Sequence, residues 1–346
     1  MRAAIFNAER RLEIQQRPVP EPDPGWVRLR ISAVGICGTD LHFFHGKFGA
    51  VAGLQPGHEV AGFVDALGSG VGDGMAGTGG ITTGTQVALE PITACGKCRH
   101  CLAGQYNRCA SSRLFGVARK GGMAEYLCVP ADRLYPVDAA IDPHVAALAE
   151  PLAVCARGVS LAELRADDHV AILGAGAIGL LSIVAAQGAG VHNIAITARH
   201  PHQKALAQAL GATVFDSSDA MLAALGDDTV ATVIETVGGE SKTLTEAVTL
   251  VRRGGRIVTL GLFDGAPRIP GLQFNTKELT LVGSNCYSHS HGGSDFAKGV
   301  ALLHGNADRI APLITHRFAL AQVNEAFEAA ADKSSGSLKV QVNPRL

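Results

Sequence analysis

Four cysteines stand close together in the chain, at a spacing that suits a metal ion. Cys95, Cys98, Cys101 and Cys109 follow one another as C-x2-C-x2-C-x7-C. Four thiolates this close can form a tetrahedral zinc site, which stabilises a loop that has little core of its own. An iron–sulfur cluster is the chemical alternative, but the bacterial ferredoxin motif has a shorter last spacing and a proline after its final cysteine, where this chain has Ala110. The sequence therefore predicts a structural zinc.

A second set of candidate ligands is spread along the first half of the chain. Cys37 lies in V-G-I-C-G-T-D, His58 and Glu59 lie in P-G-H-E, and Glu150 lies in A-E-P-L. A thiolate, an imidazole and a carboxylate are ligands of catalytic zinc sites, which keep one position open. Each residue alone is more often an ordinary core or surface side chain. Their combination predicts a catalytic zinc held by Cys37, His58 and either Glu59 or Glu150, and so two Zn²⁺ per chain.

A glycine-rich turn supplies the third candidate site. The apolar run Val170–Leu173 leads directly into G-A-G-A-I-G. Gly174 suits the tight turn, Gly176 lets the backbone approach a pyrophosphate, and Gly179 permits close packing of the helix that begins there. This motif alone also occurs by chance in loops rich in Gly and Ala. The residues expected to bind the dinucleotide here are Gly174, Gly176, Ala177, Ile178 and Gly179.

The elements that must position these residues differ between the two halves of the chain. Residues 1 to about 152 contain many short β-type runs with frequent Gly and Pro, such as the alternating strand Trp26–Ile31. After the glycine-rich turn, short apolar runs alternate with helix-like segments, which predicts βαβ units and a doubly wound parallel sheet. The expected class is therefore α/β, with a β-rich domain that holds the metal sites and a second domain that binds the cofactor.

Length, charge and composition restrict the possible partners. At 346 residues the chain has room for about two domains. A net charge of -1 and a pI near 6.9 give no basic patch for nucleic acid or an anionic membrane, so we expect a small-molecule substrate. The N-terminus resembles a first strand rather than a signal peptide, which predicts a cytoplasmic protein. The eight cysteines suit metal binding better than a disulfide framework.

Taken together, these motifs resemble those of the zinc-containing medium-chain dehydrogenases. The resemblance covers essentially the whole chain, and Glu59 with Glu150-Pro151-Leu152 is typical of the polyol, secondary-alcohol and threonine dehydrogenase branch. It implies a GroES-like catalytic domain over residues 1–152, a Rossmann domain over 153–289 and a return to the catalytic domain over 290–346. It also implies a homodimer or homotetramer.

The resemblance further implies reversible oxidation of a small secondary alcohol, diol or polyol with a nicotinamide cofactor. Zinc would polarise the substrate oxygen, while Thr39 and His42 would pass the proton to the surface. Tyr287 lies where relatives contact substrate, although the Arg-Tyr pair of sorbitol-type enzymes is Cys286-Tyr287 here. The alternatives are a zinc-independent reductase of activated double bonds, which should lack the Cys37 and His58 ligands, and a non-catalytic cofactor-binding protein.

The residues after the second strand of the Rossmann domain predict which nicotinamide cofactor is used. Enzymes that prefer NAD carry a carboxylate there, which binds the ribose 2′-hydroxyl and repels a 2′-phosphate. This chain has Ala198 at that position, followed by Arg199, whose planar N–H groups can bind phosphate, and Lys204 lies nearby. Arg199 could instead stack on the adenine or point into water. The sequence predicts that NADP(H) is preferred over NAD(H).

Overall fold

In the computed structural model, which describes residues 1–49, 51–72, 80–290 and 293–346, the chain divides into two units. Unit 1 comprises Met1–Glu150 and Leu303–Leu346, and unit 2 comprises Pro151–Leu302. The second boundary therefore lies later than the predicted position at residues 289/290. Within the segment in between, the fully buried Asp295 pairs with the buried Arg157, also of unit 2, at 3.4 Å.

The first segment of unit 1 is mainly β-structure. Its strands are β1 (Arg2–Phe6), β2 (Leu12–Gln16), β3 (Trp26–Gly35), β4 (Glu59–Leu67), β5 (Gln86–Leu89), β6 (Ile92–Thr93), β7 (Arg113–Leu114), β8 (Tyr126–Pro130) and β9 (Leu134–Pro136). Short helices lie between them: α1 (Gly38–Phe44), α2 (Arg99–Leu102) and α3 (Pro143–Ala146). The predicted β-rich character of this region is confirmed.

Strand β3 is the centre of the main sheet of unit 1. Val27, Leu29 and Ile31 are fully buried, while the arginines between them lie half-buried on the other face, as the alternation predicts. The strand is long enough to pair with β4 along one edge and with β8 along part of the other. Strands β5 and β9 extend the sheet beyond β4.

Unit 2 contains the predicted alternation of strands and helices. Its helices are α4 (Ala149–Ala162), α5 (Ala177–Gly188), α6 (Pro201–Ala209), α7 (Ser218–Leu225), α8 (Thr243–Leu250), α9 (Gly271–Thr276) and α10 (Asp295–Ile310). Helices α4 and α10 cross the unit boundaries. The strands are β10 (His169–Leu173), β11 (Asn193–Thr197), β12 (Thr213–Phe215), β13 (Val230–Glu235), β14 (Arg256–Thr259), β15 (Thr280–Gly283) and the hairpin pair β16 (His289–Ser290) and β17 (Gly293–Ser294).

The main sheet of unit 2 is parallel, with strand order β12-β11-β10-β13-β14-β15. This order reverses direction at β10, as in doubly wound folds, so the predicted class is confirmed. Residues Val170–Leu173 are buried on both faces of the sheet. The apolar run that continues past them splits into β10 and α5. A different stretch, Pro143–Ala162, is apolar and long enough to cross a membrane, but 83% of its 18-residue apolar window is buried inside the protein, as expected for a core helix.

The chain then returns to unit 1 with β18 (Ile314–Ala319), α11 (Val323–Ala331) and β19 (Lys339–Asn343). Strand β19 pairs with β18 in parallel and with the end of β3 in antiparallel orientation. Phe327 of α11 is fully buried and packs edge-on against Phe6 at 5.9 Å. These last elements therefore complete the core of the unit that the first segment began.

Candidate functional site

Cys37, His58 and Glu59 come together where β3 and β4 pair. Gly35 at the end of β3 lies opposite Glu59 at the start of β4, and Cys37 follows as the N-cap of α1. The sulfur, one ring nitrogen and one carboxylate oxygen of the three residues lie within 4.8 Å of one another. A side chain at position 35 would displace the Glu59 carboxylate, because its Cβ would lie 1.9 Å from Glu59 Oε2. We call these three residues the catalytic cluster.

Asp40 supports the catalytic cluster from behind. Its buried carboxylate accepts the backbone N–H of Cys37 at 2.9 Å and that of Gly57 at 3.4 Å. The same carboxylate lies 3.8 Å from His58 Nδ1. Burial raises the pKa of Asp40. At this distance the carboxylate does not accept a hydrogen bond from the ring, so it supports His58 through its negative charge.

Lys339 of β19 holds the carboxylate of Glu59. Its Nζ donates to both Glu59 oxygens, at 2.7 and 2.8 Å, and both side chains are buried. Burial alone would lower the pKa of Lys339, but the negative charges of Glu59 and Cys37 raise it. The ammonium group therefore stays charged and fixes Glu59 in one position.

The catalytic cluster favours a bound cation. Burial alone would lower the pKa of His58, but the negative charges around it, chiefly those of Asp40 and Cys37, raise it well above its usual value. His58 Nδ1 is buried and has no hydrogen-bond partner among the residues that the structure describes. Glu150, also buried, adds negative charge but lies outside the 4.8 Å group. This set of sulfur, nitrogen and oxygen donors fits a catalytic zinc ion.

The two residues of the predicted proton relay lie on α1. Thr39 Oγ1 is 3.9 Å from Cys37 Sγ, so this hydroxyl lies beside the catalytic cluster. His42 follows three residues later, which places it on the same side of the helix. Its half-buried ring packs against Phe48 with 4.7 Å between ring centres. The arrangement leads from the cluster toward the surface and is compatible with the predicted relay.

The four cysteines of the second predicted site also come together, in a segment that the β6–β7 pair closes at its base. The Sγ–Sγ distances are 3.9 Å for Cys95–Cys101, 3.6 Å for Cys98–Cys101 and 3.5 Å for Cys95–Cys109. A tetrahedron of sulfurs about 2.3 Å from zinc has edges of roughly 3.8 Å. The residues therefore fit a structural zinc ion. We call this segment the four-cysteine lobe.

Backbone N–H groups prepare two of these sulfurs for a metal. Hydrogen bonds from the N–H groups of Lys97 and Cys98 lower the pKa of Cys95 to about 6. The pKa of Cys98 is also lowered, by the N–H of Cys101. Burial and the neighbouring thiols raise the pKa of Cys101 to about 12. Because the thiolate is the form that binds zinc, the N–H groups favour the binding state at two of the four positions.

A buried carboxylate attaches the four-cysteine lobe to the main sheet. Glu90 accepts hydrogen bonds from the hydroxyl of Tyr106, which lies within the lobe, and from that of Tyr135 at 3.2 Å. Arg133 lies 3.5 Å from the same carboxylate and over the ring of Tyr106. Burial beside Glu90 raises the pKa of Tyr106.

The glycine-rich turn in unit 2 has the predicted geometry. Gly174 has φ +99°, a left-handed conformation that favours glycine. A Cβ at Gly179 would lie 1.8 Å from the carbonyl oxygen of Gly174, so only glycine allows this close packing. A Cβ at Gly176 would meet no atom of the described residues within 4 Å, which leaves the backbone open to a ligand. The helix begins at Ala177, two residues earlier than predicted. Its first N–H groups, those of Ala177 and Ile178, lie at this open end.

The residues after β11 that are predicted to lie near the 2′-phosphate differ in their exposure and in their existing partners. Ala198 is buried, and its N–H donates to Phe215 at 2.9 Å. Arg199 is exposed and has no hydrogen bond or ion pair among the residues that the structure describes. Lys204 forms an ion pair with the exposed Asp216, so a carboxylate already lies beside this ammonium group. Its contribution to phosphate binding stays a prediction.

The contact between Tyr287 and substrate stays a prediction. Its side chain is fully buried in unit 2 and packs edge-on against Phe296, with 5.4 Å between ring centres. The sequence also did not identify Lys339 or Asp40 as supporting residues. Asp40 stands three residues after Cys37, a capping-box spacing that could have revealed it, whereas nothing local marks Lys339.

Comparison with known families gives two matches along the chain. Residues 23–139 match the alcohol dehydrogenase GroES-like domain, and residues 177–304 match the zinc-binding dehydrogenase domain. The first match contains the catalytic cluster and the four-cysteine lobe. The second begins at the first residue of α5, immediately after the open end of the glycine-rich turn.

Whole-chain comparisons give the same kind of relatives. L-galactonate-5-dehydrogenase of Escherichia coli K12 is 32% identical over 95% of this chain and 94% of its own length. Sorbitol dehydrogenase of Bacillus subtilis is 29% identical over 99% and 97%. A solved structure from Sinorhizobium meliloti 1021, described as a zinc-binding dehydrogenase bound to NADP, is 30% identical and superposes with a TM-score of 0.87 over 99% of both chains.

Proposed function

Because this chain belongs to the zinc-type medium-chain dehydrogenases of the alcohol dehydrogenase family, we propose that it transfers hydride between NADP(H) and a small secondary alcohol, diol or polyol, or the matching ketone. The chain is an NAD(P)-linked dehydrogenase that acts on CH–OH groups. What we propose beyond this activity is that NADP(H) is preferred over NAD(H), that each chain binds two zinc ions and that the substrate is small. The observation that carries it is the buried catalytic cluster, whose donors lie within 4.8 Å of one another.

The residues of the cluster have separate roles in this proposal. When bound, zinc supplies a Lewis acid for the substrate oxygen, and the nicotinamide ring carries the hydride. Cys37 and His58 would hold the metal with Glu59 or Glu150. Thr39 would take the proton of the substrate alcohol and pass it toward His42. An intact cluster argues against a zinc-independent reductase of activated double bonds.

The exposed Arg199 supports the preference for NADP(H). The position before it is Ala198 rather than a carboxylate, so nothing there repels a 2′-phosphate. A relative of 30% identity was solved with NADP bound. We expect NAD(H) to be poorer by about tenfold or more in kcat/KM, equivalent to at least roughly 1.4 kcal/mol.

Substitution of Arg199 tests the cofactor preference. Arg199→Leu should lower kcat/KM for NADP about tenfold and leave that for NAD within about twofold, because only NADP carries the phosphate. Arg253→Leu is the matched control, since the exposed Arg253 precedes β14 and so lies at the amino-terminal end of the parallel strands, whereas Arg199 follows the carboxyl end of β11. Equal use of both cofactors by the wild-type protein would show that this strand end does not recognise the phosphate.

A combined assay tests the reaction and the metal content. Elemental analysis should give two zinc ions per chain, and absorbance at the nicotinamide band should change with a panel of secondary alcohols, diols and polyols. Removal of zinc by a chelator should stop that change. Activity that survives complete zinc removal would favour a zinc-independent reductase, and no activity with any panel member would favour a cofactor-binding protein.

The remaining predictions concern partners and location. We propose a cytoplasmic homodimer or homotetramer that acts on a small molecule, without a nucleic-acid or membrane partner. Light scattering coupled to size-exclusion chromatography measures the mass of the assembly and would reveal a monomer directly.

A further inference from the structure

We propose that Thr197 and Thr236 position the glycine-rich turn for dinucleotide binding by fixing its backbone from both neighbouring strands. Strand β10, which leads into the turn, lies between β11 and β13 in the sheet. Thr197 is the last residue of β11, and Thr236 follows the last residue of β13. The inference rests on the binding of a nicotinamide dinucleotide and is independent of the choice between NADP and NAD.

Thr236 holds the carbonyl groups at the end of β10. Its hydroxyl donates one hydrogen bond shared between the oxygen of Leu173, at 2.8 Å, and that of Gly174, at 3.0 Å. Its backbone N–H also donates to Leu173, at 3.1 Å. The hydroxyl therefore restrains the peptide group at which the chain leaves the sheet.

Thr197 holds the N–H group of the same turn from the other side. Its hydroxyl oxygen accepts the N–H of Gly174 at 2.9 Å. The N–H and the carbonyl of Gly174 are thus each bonded to a threonine hydroxyl, from two different strands. Gly174 adopts a left-handed conformation, so its backbone depends on such contacts to keep one orientation.

The Thr236 hydroxyl also packs closely beside two glycines of the motif. A Cβ at Gly174 would lie 3.2 Å from Thr236 Oγ1, and a Cβ at Gly179 would lie 3.1 Å from it. Both distances are tighter than ordinary contacts, although the nearest atoms are Val237 Cγ2 for Gly174, at 2.5 Å, and the Gly174 oxygen for Gly179, at 1.8 Å. The hydroxyl is therefore one of the groups that surround the turn closely.

Glu235 keeps Thr236 from moving. Its carboxylate is fully buried, and one oxygen accepts the N–H groups of Val237 and Gly238 at 2.7 and 2.9 Å. The hydroxyl of Thr243 donates to the same oxygen at 2.7 Å. The segment that carries Thr236 is therefore anchored on both sides, so that the threonine can act as a fixed support.

This support matters because a pyrophosphate binds to backbone N–H groups at the start of a helix. Those groups follow Gly176 at the start of α5, directly after the turn. A turn that is already oriented loses less freedom when the ligand binds, which strengthens binding. The pyrophosphate is common to NADPH and NADH, so loss of either threonine bond should weaken both equally.

Binding measurements on two isosteric variants test the proposal. Thr236→Val and Thr197→Val each remove a hydroxyl and keep the shape of the side chain. We expect the Kd of both NADPH and NADH, from titration of coenzyme fluorescence, to rise about three- to tenfold, as for loss of one buried hydrogen bond. Thr236→Ser and Thr197→Ser should restore binding. Thr280→Val, on the edge strand β15, is the control and should bind as wild type.

Two further readouts distinguish this inference from the proposed cofactor preference and from a merely structural role. Arg199→Leu should weaken NADPH only, whereas the threonine variants should weaken both coenzymes by the same factor. Without coenzyme, hydrogen exchange at the Gly174 amide should be faster in Thr197→Val. Unchanged Kd values for both coenzymes in both valine variants would overturn the inference, even if the melting temperature fell.

Discussion

The catalytic cluster takes Cys37, His58 and Glu59 from the junction of β3, α1 and β4, whereas the four-cysteine lobe takes all of its ligands from one short segment. The cluster mixes sulfur, nitrogen and oxygen donors, and most of its side chains are buried. The lobe offers only sulfur, and three of its cysteines are partly exposed. Both lie in unit 1.

What holds the ligands also differs between the two regions. Charged side chains from distant elements support the cluster: Asp40 lies beside His58, and Lys339 bonds to Glu59. In the lobe, N–H groups of the same segment orient the sulfurs, and Glu90 connects the segment to the sheet. The catalytic cluster is thus held by buried ion pairs from other elements, and we expect it to keep more of its order without metal than the lobe does.

The largest expected effect comes from His58→Ala. Turnover should fall about 10³-fold or more, equivalent to at least about 4 kcal/mol, because the cluster loses a ligand that no neighbour replaces. The Kd for NADPH should stay within about twofold, since the glycine-rich turn belongs to unit 2. Steady-state kinetics and coenzyme titration measure the two quantities. A parallel loss of coenzyme binding would mean that the cluster supports the fold rather than the chemistry.

Thr39→Val should slow turnover about 10²-fold, because it removes the hydroxyl of the predicted relay and leaves the metal ligands in place. Zinc content should not change, and Thr39→Ser should recover most of the rate. The variant should also have a different pH profile of kcat. A valine variant with wild-type kcat and pH profile would place the proton path elsewhere.

Cys95→Ser tests the four-cysteine lobe, the second of the two regions compared. Zinc content should fall from two ions to one, and the melting temperature should fall by several degrees, as expected for a loss of a few kcal/mol. Activity at low temperature should fall less than about tenfold, because the catalytic cluster has its own support. Elemental analysis and calorimetry are the measurements. An unchanged zinc content would remove the structural zinc from this description.

The smallest expected effect is that of low pH on zinc binding by the four-cysteine lobe. Because the pKa of Cys95 in the metal-free lobe is lowered to about 6, its thiolate form is nearly complete at pH 7.5 and falls as the pH drops through 6. Protons then compete with zinc, so the apparent affinity of the metal-free lobe for zinc should be several-fold weaker at pH 5.5 than at pH 7.5. Titration of the metal-depleted protein with zinc in the presence of a chromogenic chelator measures this affinity. An equal affinity at both pH values would contradict the prediction.

The sequence predicts those parts of the molecule in which local pattern and structure coincide. The alternation in β3, the glycine-rich turn and the spacing of the four cysteines all depend on near neighbours, and the structure has each of them. The pairing of Lys339 with Glu59 depends on how β19 aligns with β3, which no local pattern reveals. The burial of Tyr287 likewise follows from tertiary packing against Phe296.

The ion pair of Lys204 is another tertiary contact that local sequence pattern does not reveal. From the sequence Lys204 is one more cation near the predicted phosphate, but its partner Asp216 comes from the end of a neighbouring strand. Ion pairs between elements cannot be read from composition, because they depend on the final geometry of the two side chains. Arg199 is left as the exposed cation only after that pairing is known.

Because Lys339 lies late in the chain, the catalytic cluster and the four-cysteine lobe are completed at different times during synthesis. Proteins emerge from the ribosome starting at the N-terminus, and domains fold as units as they appear. The four-cysteine lobe has all of its ligands once Cys109 has emerged, so it can take up zinc while most of unit 2 is still unmade. Glu59 meets its lysine only after unit 2 and β18 have been produced. We therefore expect the order of synthesis to let the four-cysteine lobe bind its proposed zinc early, whereas the ion pair that fixes Glu59 forms among the last events of assembly.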